Sequence, residues 1–407
     1  MTTGYTRAPH SATTAGQRLT LRRASFNHSP WANGGRSSMA EPRIVIPVVA
    51  GSSPVGHPTR SMAPDPMPSD EQFMREALKL AKRGLGRTHP NPAVGCVLVR
   101  RGRVVGRGWH RRAGKPHAEV EALQSLEKPA LARGATAYIT LEPCSTQGRT
   151  PPCTDALLKA GVGRVVVGTV DPNPEHRGRG LTILRRAGIE VASGVLAAEC
   201  ASVNPEFHHF MTSGLPWVIV KCGMSLDGRL TRPSGESRWL TSTAARADAM
   251  KLRARVDAIL VGAATVRADD PALTLRGARC RQQPWRVVWA PERPPQPQAR
   301  IFTDSARDRT LVLRNKSLRS VLRALAGRDI RRVLIEGGGH TLGCVFDAGL
   351  AQEIVFYVAP VLAGGNIAAV AGLGSWQTRQ AAKLSSAHFK QIGDCLRISG
   401  HISNREG

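Results

Sequence analysis

The chain has 407 residues, with 57 Lys and Arg against 30 Asp and Glu, a formal net charge of +27 and eight cysteines. Its length suits two domains and its hydrophobic content of 41% is enough for real cores, while no apolar run is long enough to span a membrane. The scattered cysteines show no disulfide framework, which favours the reducing cytoplasm. The basic residues are spread along the chain with few aromatics between them, which favours anionic small ligands over nucleic acid.

Residues 1–66 are rich in Ser, Thr, Gly, Pro and Arg, with only Glu41 and Asp65 acidic, a composition that reads as a disordered extension. One reading is a transit peptide to a plastid or other organelle, which shares this basic, acid-poor character. The other is a segment that is not coding, with translation starting at Met62 or Met67. Gly51-Ser52-Ser53-Pro54 is what the T-arm of a transfer-RNA gene encodes in frame.

Order begins at Ser69, which can cap a helix from about Glu71 to Arg83 with Phe73, Ala77, Leu78 and Ala81 on one face. GCVLV and RVVGRGW read as a hairpin around Arg101-Gly102. Before them, His89-Pro90-Asn91-Pro92 is either a rigid turn or a substrate lip.

The stretch from Pro116 to Cys153 carries the densest chemistry. His117, Cys144 and Cys153 offer one imidazole and two thiolates, a set that suits Zn²⁺ with one position open for water. AEVEALQSL is helix-like and follows Pro116, so His117 and Glu119 fall in a first turn. Glu119 is too near His117 to be a separate ligand and is better placed to carry protons between an activated water and a leaving amine. AYITL is a buried strand that delivers Cys144, and Cys153 leads TDALLKAG, a helix start that favours a thiolate. RVVVGTVDPNP, LTILRRAG and IEVASGV then supply strand, helix and strand, completing a mixed sheet with helices on both faces.

H-x-E with two later P-C pairs is the zinc deaminase pattern, but eight residues separate the cysteines here where a base deaminase has two. That spacing, with HPNPAVGCVLV and EPCSTQGRTPPC, resembles the riboflavin-pathway pyrimidine deaminases. The resemblance implies a cytidine-deaminase-like three-layer αβα domain over residues 67–212, with Asn91 in its pocket.

FHHFMTSGLP reads as an exposed junction, its His208 and His209 having no metal partner nearby. Beyond it PWVIVK, DAILVG, WRVVWA, TLVLR, RRVLIEGGG, EIVFYVAP and CLRISG read as strands of an open, mainly parallel α/β sheet. The clusters KCGMSLDGRL, SGESRWLTS, GAATVRADDPALTLR and EGGGHTLG together resemble the reductase half of the bifunctional riboflavin-pathway enzymes. That implies a dihydrofolate-reductase-like α/β domain over residues 213–407.

The resemblance puts Gly223, Trp239, Thr265 and Asp269 beside NADPH, with Gly338, Gly339, His340, Thr341, Leu342, Gly343 and Cys344 around its phosphates. Ser237, Arg253, Leu273, Arg276 and Glu336 would face a phosphoribosyl substrate, and Lys221 or Asp269 would serve the opening ribose. Two departures stand out. Ala290-Pro291 replaces the family's Asp followed by Ser or Thr, removing a hydroxyl and a backbone donor, with Arg286 or Arg293 the nearest compensating charges. His176 stands where an aliphatic residue is common. The implied enzyme deaminates a phosphorylated pyrimidine at zinc and then reduces its ribose with NADPH, with no nucleic-acid or membrane partner and with room for a homo-oligomer. The rival readings are a nucleic-acid base deaminase and a zinc-stabilised module with a decayed reductase.

Overall fold

The structure is a computed structural model that describes residues 69–147, 151–230, 239–276, 283–375, 377 and 380–403. The expectations for residues 1–66 and for Ser237 lie outside these. From Asp65 onward the chain is one compact unit, which carries two sheets.

The first sheet contains β1 (Gly95–Arg100), β2 (Arg103–Trp109), β3 (Thr136–Leu141), β4 (Arg164–Thr169) and β5 (Glu190–Ser193), in the order β2-β1-β3-β4-β5. The β1–β2 hairpin is antiparallel, as is β1–β3, and the rest is parallel. Arg101 and Gly102 both take positive φ, 49° and 72°, which lets the hairpin turn in two residues. Helices α1 (Asp70–Lys82), α2 (Ala118–Gln124), α3 (Cys153–Lys159), α4 (Arg179–Arg186) and α5 (Ala197–Ser202) flank it. Ser69 caps α1 through Gln72 N–H.

Alternation along the strands sorts the core into two faces. Val97, Val99, Tyr138 and Val166 pack with Phe73, Ala77 and Ala81 of α1 and Cys200 of α5. Cys96, Leu98, Ile139, Val165 and Val167 pack with Ala118 and Ala122 of α2, Leu157 of α3 and Leu184 of α4. Two glycines bring the helices unusually close. A Cβ on Gly95 would lie 2.0 Å from Ala77 O, and one on Gly108 would lie 2.2 Å from Ala118 O.

The junction read as an exposed linker is instead helix α6 (Pro205–Ser213), with Pro205 in its first turn and Gly214 (φ 66°) ending it. His208 and His209 are partly covered, and the His209 ring meets Trp217 edge-on.

The second sheet contains β6 (Trp217–Ser225), β7 (Ala258–Gly262), β8 (Trp285–Ala290), β9 (Thr310–Arg314), β10 (Arg332–Ile335), β11 (Glu353–Ala359), β12 (Lys383–Ile392) and β13 (Cys395–Ser403). Their order is β12-β13-β11-β6-β10-β7-β8-β9, with β12 and β13 antiparallel and the other six parallel. Strand β12 was not expected from the sequence. The helices are α7 (Thr243–Arg253), α8 (Ala263–Asp269), α9 (Arg300–Thr303), α10 (Leu318–Ala326) and α11 (Gly339–Asp347). One face packs α10 and α11 against Val218, Val220, Leu260 and Val333, and the other packs α7, α8 and α9 against Ile219, Val261, Val288 and Val355. No helix among the described residues is long and apolar enough to cross a membrane.

Candidate active sites

Three chain segments converge at His117. The residue is the N-cap of α2, while Cys153 opens α3 and Cys144 follows β3 by three residues. His117 Nδ1 lies 3.5 Å from Cys144 Sγ and 3.3 Å from Cys153 Sγ, and all three donor atoms fall within 4.8 Å of one another. Tetrahedral zinc with bonds of about 2.0–2.3 Å sets its ligands about 3.5–3.8 Å apart, so the donors present fit the ion. The backbone N–H of Cys153 donates to Cys144 Sγ at 3.3 Å. The Cys153 thiol, and after it His117, pulls the Cys144 thiol well below its ordinary value; the same sulfur–sulfur contact, and then burial, pushes Cys153 up.

Glu119 sits in the first turn of the same helix, only 3% exposed, with its carboxyl in hydrogen-bond contact with Cys153. Burial first, then the charge on Cys144, pushes it up to about 7. A carboxyl so placed can take and return a proton at neutral pH.

His110, which the sequence reading passed over, joins Asn91 to this centre. Its Nδ1 lies 3.0 Å from Pro116 O, its Nε2 lies 3.2 Å from Asn91 Nδ2, and its ring meets His117 edge-on. A carbonyl can only accept, so Nδ1 donates and Nε2 accepts from the Asn91 amide. Burial lowers the His110 pKa, which keeps the ring in this neutral form. Asn91 Oδ1 is thereby left as the acceptor for a ligand. The only hint in the sequence was His110 standing seven residues before His117.

Beside Cys144 is a cavity of about 210 Å³, lined by Asp171, Asn173 and His176 from the loop after β4 and by Met211 of α6. Glu142 anchors that loop. Its carboxylate accepts from the backbone N–H of Asp171 (3.0 Å), Gly178 (2.9 Å) and Gly180 (2.9 Å). His176, noted only as an oddity, thus lines the space next to the Cys144 sulfur.

In the second sheet the C-terminal ends of the parallel strands gather another cluster. Arg253 of α7 grips Glu336 through Nε (2.7 Å) and Nη2 (2.9 Å), and its Nη1 donates to Thr274 O at 3.2 Å. Lys221 of β6 stands 3.7 Å from the same carboxylate. Burial pushes the Glu336 carboxyl up, but Lys221 and then Arg253 outweigh it and hold it at about 2. Thr265 Oγ1 accepts from Gly338 N–H at 3.1 Å, joining α8 to the glycine turn.

The remaining expected residues are placed less tightly. Gly223 lies in β6, where a Cβ would sit 3.1 Å from Thr241 Cγ2; Trp239 is exposed under the Arg246 guanidinium; Asp269 ends α8. Leu273 is buried with φ 51°, and Arg276 is exposed. Along α11, Gly338 is open to approach and His340 exposed, but Thr341 and Leu342 are buried. Cβ atoms on Gly339 and Gly343 would strike Ala368 O (2.0 Å) and Ala371 O (1.7 Å). These two glycines serve close packing, and Leu342 can offer a ligand nothing but backbone.

One expectation about the departure is corrected. Arg286 is fully buried, donating to Ala272 O, Asp304, Ile301 O and Thr310 Oγ1, so it cannot compensate for a lost cofactor contact. Ala290 packs in the core, 1% exposed, which leaves Pro291 as the position open to a ligand.

With this geometry in view, comparisons with known proteins agree on both halves. Residues 67–169 match the family described as the cytidine and deoxycytidylate deaminase zinc-binding region, and residues 216–396 match the RibD C-terminal domain. The riboflavin biosynthesis protein RibD of Escherichia coli is 41% identical over 366 residues, covering 81% of this chain and 99% of that protein. A solved Acinetobacter baumannii RibD is 37% identical with a TM-score of 0.70, covering 82% of this chain and 99% of its own. A solved diaminohydroxyphosphoribosylaminopyrimidine deaminase/5-amino-6-(5-phosphoribosylamino)uracil reductase from Thermotoga maritima is 34% identical with a TM-score of 0.67, covering 82% and 99%. The chain belongs to the RibD family of riboflavin biosynthesis proteins, bifunctional enzymes that join a zinc-binding deaminase to a reductase.

Proposed function

We propose that residues 67–212 remove the 2-amino group of a diaminopyrimidinone ribosylamine 5′-phosphate, and that residues 213–407 reduce the ribosyl group of the product with NADPH. The observation that carries this reading is a His/Cys/Cys cluster with a buried carboxylate beside it, sharing one compact unit with a separate Lys221–Glu336–Arg253 cluster. The expected compartment is the cytoplasm, with no nucleic-acid or membrane partner.

His117, Cys144 and Cys153 would hold Zn²⁺, which when bound supplies Lewis-acid activation of a water. Glu119 takes a proton from the attacking water and returns it to the amine leaving the ring, so that one water is consumed and one ammonia released. Asn91, its amide oriented by His110, accepts from an N–H of the pyrimidine.

Thr265 and the turn at Gly338 would hold NADPH, with Gly223, Trp239 and Asp269 as its further contacts, and the cofactor would supply a hydride for the opened ribose. The imine nitrogen must gain one proton, and Lys221, 3.7 Å from Glu336 beside the cleft, is the donor. Arg253 fixes Glu336 in place. Arg276, exposed and always charged, is suited to the phosphate, with Ser237 and Leu273 as neighbouring wall.

The test is incubation of zinc-loaded protein with the diaminopyrimidine phosphate, with and without NADPH. Ammonia should appear in both cases, and the ribityl product only with NADPH. No ammonia from zinc-loaded protein would refute the reading.

A further inference from the structure

The loop that carries Asn91 is held from both sides. Within its own half, Asn91 N–H donates to Thr88 O at 2.9 Å, and the Asn204 side chain exchanges two hydrogen bonds with the Ala93 backbone. The other side belongs to the eight-stranded sheet. His89 Nε2 lies 2.9 Å from Asp257 Oδ1, just before β7, and Arg331 Nη1, just before β10, donates to Pro90 O at 2.8 Å.

These two partners are themselves fixed. Asp257 Oδ2 accepts from the backbone N–H of Arg331 and of Arg332, each at 2.9 Å, so the acid and the arginine are locked together. Arg331 also pairs with Asp329 at 2.8 Å, and its guanidinium lies over the Phe210 ring of α6. Arg332 pairs with Glu206 at the start of α6. A cavity of about 320 Å³ opens beside these contacts, so the lip is not buttressed there by packed apolar atoms.

From the lip, an unbroken run of contacts reaches the metal ligands: Pro90, Asn91, then His110, then Pro116 and His117. We propose that Asp257 and Arg331, on the reductase half, are positioning residues for deamination: they fix the His89-Pro90 lip and, through it, the Asn91 amide that faces the pyrimidine. The inference rests on the proposed role of Asn91. The reductase half thus completes a site whose reacting groups all lie on the other sheet. Neither residue touches the Lys221–Glu336–Arg253 cluster among the described contacts.

The experiment compares Arg331→Ala and Asp257→Asn with the unaltered full-length chain. Three quantities are measured: bound zinc, ammonia release from the diaminopyrimidine phosphate, and NADPH-dependent reduction of supplied deaminated compound. A displacement of about 1 Å at a positioning group costs up to about a hundredfold. With Thr88 and Asn204 sharing the restraint, deamination kcat/KM should fall about tenfold, chiefly through KM. Zinc content and reduction should stay unchanged, and Arg331→Lys should restore part of the loss. His89→Ala combined with Asp257→Ala should cost no more than Asp257→Ala alone, because His89→Ala removes only a contact that Asp257→Ala has already removed. A parallel fall in both activities, or no change in deamination, would overturn the proposal. Failure of the unaltered chain to deaminate would instead refute the function above.

Discussion

Glu142 offers the sharpest test of how the first site is built. Its carboxylate receives the backbone N–H of Asp171, from a loop whose Asp171, Asn173 and His176 line the cavity beside Cys144, and those of Gly178 and Gly180 where that loop passes into α4. It is only 5% exposed, so solvent cannot replace these partners. Glu142→Gln keeps the shape but has one acceptor oxygen, which can retain the pair made by Oε2 and not the one made by Oε1. Bonds to a charged acceptor contribute about 1.5–3 kcal/mol each, roughly twice the neutral value. Losing one and weakening two should therefore cost about 3 kcal/mol, which for a body of this size lowers the melting temperature by roughly 4 °C. Glu142→Ala should cost more, since three buried donors would lose their partner. Urea denaturation gives the stability and ammonia release gives the consequence for the pocket, with reduction of the deaminated compound as the control. A stability change below about 0.5 kcal/mol with undiminished ammonia release would show that this carboxylate does not hold the loop.

Glu119→Gln should keep its zinc yet release no ammonia, whereas Cys144→Ser and Cys153→Ser should lose the metal as well; elemental analysis beside an ammonia assay separates the two outcomes. Glu336 is held below its ordinary value, at about 2, so its contribution to stability is full above about pH 4.5 and is lost as pH falls toward 2. That contribution is about 3 kcal/mol, and Glu336→Gln should flatten the acid side of the stability profile by that amount; identical profiles for the two proteins would contradict the pairing. Because Ala290 is buried and Pro291 is not, Pro291→Ser alone should tighten NADPH, by up to about tenfold for each 1.4 kcal/mol regained. Equal affinity in a cofactor titration would put this turn off the cofactor.

The zinc cluster was legible because its residue types and local signals agree. A helix N-cap, a helix first residue and a strand end each announce themselves within a few residues of His117, Cys153 and Cys144. Helix α6 was misread although Pro205 and Gly214 marked both its ends; the polar pair His208-His209 hid its half-covered face. Strand β12 escaped because it is exposed along most of its length and its register shifts between Ser385 and His388, so no period-2 pattern survives. Arg286 was taken for a charge free to compensate at the cofactor because nothing near it in sequence reveals Asp304 and Thr310 as its partners. The Arg331–Pro90 contact spans 241 residues, and no local pattern can report such a pairing.

The close approach at Gly108 has a consequence for how this sequence can drift. A Cβ there would lie 2.2 Å from Ala118 O, 2.3 Å from Ala122 N and 2.8 Å from Glu121 C, all backbone atoms of the helix that presents Glu119. Backbone of a packed helix cannot rotate aside as a side chain can, so even alanine would have to push the whole of α2 away from the hairpin. The register of Glu119 against His117 and the two cysteines is therefore set partly by an atom that is missing. In a saturation library across residues 103–109, position 108 should return glycine alone, while the exposed Arg103 and Arg107 accept many residues. Selection on ammonia release would thus act at a residue with no functional group of its own, placed there only to leave room.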